Sequence, residues 1–89
     1  VVHDRAAVRA QHALVACSAA SARAERALGE RSVASFPAVQ TRLAAAVVEL
    51  READDAAAGE LWPAEIDPTE LAAAERRAHL LLERLARPR

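Results

Sequence analysis

Residues 7–28 read AVRAQHALVACSAASARAERAL, and the spacing within this stretch decides the fold class. Ala7, Ala10, Leu14, Cys17, Ser21, Ala24 and Leu28 recur three and four residues apart, the period of a single helix face. Ala6, Ala13, Ala20 and Ala27 add a second row beside that face. A seam built from such small side chains lets a neighbouring helix come close, because interaxial distance follows side-chain size. The stretch predicts a helix over about residues 2–28, ended by Gly29 in the left-handed conformation that favours glycine.

The same period continues downstream. Ser35, Phe36 and Pro37 resemble a first-turn signal and open a segment predicted to be helical over residues 37–58, before Gly59. Its apolar stripe is Val39, Leu43, Ala46, Val47, Leu50, Ala53 and Ala57, extended by Leu61, while Glu49, Arg51, Glu52 and Asp55 fall mostly off the stripe. The third segment has the clearest start. Asp67 suits an N-cap, Pro68 the first helical position, and Glu70 stands three residues after the cap, where a capping box would place it. A helix over 68–86 follows, with Leu71, Ala74, Ala78, Leu81, Leu82 and Leu85 inward and Arg84, Arg87 and Arg89 complementing the C-terminal end of the helix dipole.

At ~1.5 Å per residue these helices are about 40, 33 and 28 Å long, more than a compact globule of this size is wide. The fold class is therefore all-α, an elongated antiparallel three-helix bundle, with the short connections near 30–36 and 59–67 reversing the chain. All 89 residues belong to one domain.

Composition agrees and narrows the function classes. Ala contributes 25 residues against 10 Leu, 8 Val and one each of Ile, Phe and Trp, so large core formers are scarce. Two glycines and few β-branched residues other than Val argue against a sandwich, a barrel or a glycine-rich nucleotide-binding unit. Twelve basic side chains, all Arg, face 13 acidic ones for a net charge of -1, which lacks the basic excess of a typical nucleic-acid binder. The all-Arg skew reads as a GC-rich, bacterial coding sequence. The longest apolar run, Leu43 to Val48, falls short of the ~20 residues a membrane-spanning helix needs, so no membrane span is expected. A lone Cys17 has no internal disulfide partner, which fits a reducing cytoplasm.

Candidate chemistry is thin, and an enzyme is not expected. His3, His12, His79 and Cys17 match no compact zinc spacing. Glu75 and His79 stand four apart, whereas the helical di-metal motif needs Glu and His three apart in two copies, so no metal or other cofactor is expected. Cys17 reads as a packed thiol, and Ser21 as a hydroxyl bonded back to a carbonyl one turn earlier. Asp54, at the edge of the second stripe, is expected to meet an Arg across helices or subunits.

The placement of the remaining apolar residues points to association. Val8 and Val15 form a row off the alanine seam, Val48 is displaced from the second stripe, and Leu80 lies away from Leu71, Ala78 and Leu85. One three-helix core cannot take them all. The expected partner is another protein chain, most economically a second copy that completes a larger helical bundle by dimerisation. Val8, Val15, Val48 and Leu80 are the expected contacts. Phe36 and Trp62, each directly before a proline, are expected to plug the ends of the bundle, with Trp62 at the Leu61, Trp62, Pro63 corner offering the alternative of an anchor for the partner. The main expectation is thus an adaptor, assembly factor or accessory subunit. The runner-up is a small regulator that contacts nucleic-acid phosphates through Arg76, Arg77, Arg84, Arg87 and Arg89.

Overall fold

The structure, a computed structural model, describes the backbone of residues 4–58 and 66–87 and the side chains of residues 8–56 and 66–87. Every regular element within them is helical. The order is α1 (Asp4–Gly29), a single 3-10 turn (Val33–Ser35), α2 (Phe36–Ala58) and α3 (Pro68–Ala86). The three helices pack together, and the molecule measures 48 × 21 × 16 Å.

The small-residue seam does what its spacing predicts. Ala10, Ala13, Leu14, Cys17, Ala24 and Ala27 of α1 are buried against Phe36, Leu43, Ala46, Val47, Leu50 and Ala53 of α2. The two helices run in opposite directions: Arg9 and His12 share a hollow with Ala53, while Arg23 shares one with Val39 and Arg42. α3 closes one side of this hairpin with Ala78, Leu81 and Leu85, and half-buried Leu71, Ala74 and Leu82 support them. It runs in the sense of α1, since Glu75 interacts with Cys17 and Arg84 with Glu25. Leu43 and Leu50 are fully buried. Burying each such leucine contributes about 1.5–3 kcal/mol, which makes them the main large anchors among many alanines.

Local signals set the helix ends, with two corrections. Asp67 caps α3 by accepting a 2.9 Å bond from the Thr69 N–H, and Pro68 opens the helix. The reciprocal bond from Glu70 does not form, so the cap is single rather than a box. Gly29 is not the left-handed residue at the end of α1: it stays in the last turn, and Arg31 takes the positive φ of 54° instead. The chain needs those extra residues because Glu30 and Ser32 still donate to the carbonyls of Arg26 and Ala27 before the reversal. Phe36 then buries itself at the start of α2, plugging that end of the bundle as its position before Pro37 suggested.

One segment departs from the expectation about membranes. Val33–Ala56 has the length and composition of a membrane-crossing helix, with a mean hydropathy of 1.2, because interspersed alanines and valines raise the average without forming a long unbroken run. Arg42 and Glu49 interrupt it on one side, and Leu43, Val47 and Leu50 face α1 on the other.

Candidate functional site

All four described residues expected to mediate contact lie outside the core. Val8 is 49% exposed, Val15 66%, Val48 54% and Leu80 54%. At ~100° per residue, Val8 and Val15 point about 180° from the inward face of α1, Val48 about 150° from that of α2, and Leu80 about 140° from that of α3. The structure therefore brings Val8 and Val15 together on one outer face and places Val48 and Leu80 on two others. Val33, in the turn before α2, is also half exposed, and its position in a connection gave no periodic signal. Trp62 lies outside the described residues.

Leu80 has polar company. With Leu81 it floors a hollow of about 340 Å³ bordered by Arg77, Arg84 and Arg87, and by Glu25 and Glu83. Arg77 is committed to Glu25: its Nε donates to Glu25 Oε2 at 3.0 Å, and its Nη2 bonds Glu25 Oε1. The Arg77 guanidinium holds the Glu25 carboxyl below the usual carboxylate range, and Glu25 in turn raises Arg77 further. Arg76 is exposed on the same helix, and Arg89 lies outside the described residues. The predicted arginine set is thus partly assembled around Leu80 and partly neutralised there.

Glu75 and His79 do share a face of α3, but the face meets Arg51 of α2. The Arg51 Nη2 donates to His79 Nε2 at 3.1 Å, and Arg51 Nε stands 4.0 Å from Glu75 Oε2. Arg is always the donor, so His79 accepts through its Nε2 lone pair. A cross-helix polar clasp is the result. Among the described residues no group of three His, Cys, Asp or Glu side chains is placed to hold a metal. Asp54 is half-buried and meets no Arg within the described residues.

In the seam, Cys17 is fully buried, and burial pushes its thiol pKa up. The neighbouring Ser21 hydroxyl and Arg77 pull it down and Glu75 raises it, with burial the largest of these influences. Ser21 corrects an expectation. Its Oγ is buried with no hydrogen-bond partner among the described residues, where a bond to the preceding turn was predicted.

The feature that the sequence reading missed lies on the side of the hairpin away from α3. Two hollows of about 430 and 300 Å³ share Ala16 and Glu49, so they form one open groove along α1 and α2. Alanines floor it, Ala16 and Ala20 from α1 and Ala45 and Ala46 from α2, while Arg9, Arg23, Arg42 and Glu49 stand along it. A signal existed in the sequence: Ala38, Arg42, Ala45, Glu49, Glu52 and Ala56 repeat at alternating spacings of four and three beside the core stripe. No family model matches this chain, and neither a curated protein nor a solved structure does.

Proposed function

We propose that this chain is a small helical protein–protein association module, an adaptor or accessory subunit that works by covering helix surface with another chain, the simplest cover being a second copy. The observation that carries this reading is the exposure of Val8, Val15, Val48 and Leu80 on the outer faces of all three helices. Isolated exposed apolar residues are common on protein surfaces. Here, though, large apolar side chains are scarce, and a chain that leaves this many of its few outside has them free for contact. The absence of a convergent catalytic group among the described residues is compatible with a binding role and is not what supports it. On this reading α2 is a core helix of the bundle and not a membrane span, since its inward face is already occupied by α1.

Light scattering or sedimentation of the purified chain at micromolar concentration tests the proposal. A mass of two or more chains is the expected result, and a clean monomer that captures no protein from its native host overturns it. Arg84 and Arg87, which border the hollow beside Glu83 and the paired Arg77 and Glu25, are what supports the second reading, contact with nucleic-acid phosphates. Adding DNA or RNA at low salt to the same samples decides between the two, because phosphate binding weakens steeply with salt.

A further inference from the structure

We propose that the groove between α1 and α2 is where a second copy of this chain docks, α2 antiparallel to α2, with Arg42 of each copy opposite Glu49 of the other. The proposal rests on the self-association read above only for the existence of a second copy. The surface and register it assigns are lined by none of Val8, Val15, Val48 and Leu80, and are argued from the charges and small residues of the groove itself.

The argument starts from how the hairpin distributes charge. Arg23 and Arg42 stand together towards one end of the groove, Glu49 lies nearer its middle beside Ala16, and Arg9 and His12 line the other end, so Glu49 is the one carboxylate among the described lining residues. None of Arg23, Arg42 and Glu49 has an ion-pair partner among the described residues. No α3 residue lines the groove, so among the described residues the α1–α2 layer is covered on one side only. Alanines at its centre permit close approach of another helix, as the same residue type does between α1 and α2.

A symmetric pair of hairpins packed face to face has two choices of twofold axis. An axis parallel to the helices places α1 of one copy over α2 of the other at equal height, which stacks Arg23 on Arg42 twice. Like charges there oppose docking. An axis across the helices, passing between Ala45 and Ala46, reverses each helix onto its own counterpart. It sets Ala45 on Ala46, Ala38 on Ala53 and Arg42 on Glu49, and on α1 it sets Ala19 on Ala20 and Arg23 on Ala16. Every charge on the α2 stripe from Ala38 to Glu49 then meets its opposite, and the small residues fill the centre. For a second copy, the Arg42–Glu49 pairing therefore selects the antiparallel arrangement over the one that stacks Arg23 on Arg42.

Arg42 and Glu49 are exposed in the single chain, so reversing either leaves the three-helix fold intact, which circular dichroism checks. Sedimentation equilibrium of Arg42→Glu and of Glu49→Arg is expected to show dimer dissociation constants raised about tenfold or more, because two attractive pairs become two repulsive ones. An equimolar mixture of the two variants is expected to recover the dimer, as is the double variant. Asp55→Arg, on the other side of α2, is expected to behave as the wild type. A wild-type dimer that both single variants retain, or whose weakening the mixture fails to reverse, overturns this interface while leaving self-association standing. A monomeric wild type overturns both.

Discussion

Ser21 is the residue at which the alanine seam is least well satisfied. A hydroxyl buried without a good partner costs about 1–3 kcal/mol relative to a satisfied one, and Ser is also a poorer helix former than Ala. Ser21→Ala is therefore expected to raise the melting temperature, with a gain of about 1 kcal/mol in a denaturant titration. A loss of stability would mean that the hydroxyl has a partner outside the described residues. Its neighbour Cys17 follows from the same burial: packed at the centre of α1 with its thiol pKa raised, it is a small hydrophobe in this fold rather than a nucleophile.

At the scale of elements, each helix is built from a periodic stripe and finished by local chemistry. α3 shows the division most clearly, because its start is written entirely in Asp67, Pro68 and Thr69, while its hold on the bundle comes from Ala78, Leu81 and Leu85. Asp67→Ala is expected to destabilise the chain by about 0.5–2 kcal/mol, read as a lower urea midpoint at unchanged slope. The end of α1 at Gly29, the start of α2 at Phe36 and both ends of α3 fall within one residue of the positions read from period and caps, which are local properties. The reversal after α1 was not. Arg31, and not Gly29, adopts the left-handed backbone because the turn must deliver Phe36 to the end of the bundle, and that constraint is set by the partner helix.

At the scale of the whole molecule, α3 is tied to α1 by Arg77 and Glu25, residues 52 apart in the chain. The folded-state pKa of Glu25 lies below its unfolded value, so the pair contributes its stability above the ordinary carboxylate range and loses it as pH falls through the depressed value. Both groups are substantially exposed, which limits the contribution to about 0.2–1 kcal/mol. Glu25→Gln is expected to lower stability at neutral pH by that amount and to leave stability at acid pH unchanged, a difference that thermal melts at the two pH values measure. Among the described residues, α3 covers one side of the α1–α2 hairpin and no helix covers the other.

The sequence by itself determined the all-helical class, the three segments, the cap of α3 and the outward position of Val8, Val15, Val48 and Leu80, because each follows from period and local bonding along a single helix. Only the tertiary structure decided which sides of the helices met. It placed Arg77 on Glu25, gave Arg51 to Glu75 and His79, left Asp54 without an arginine among the described residues, and opened the α1–α2 groove on the side that α3 does not reach. The physical reason is that a helix repeats every 3.6 residues whatever surrounds it, whereas contact between faces depends on how whole helices rotate and cross to bury the largest side chains they have.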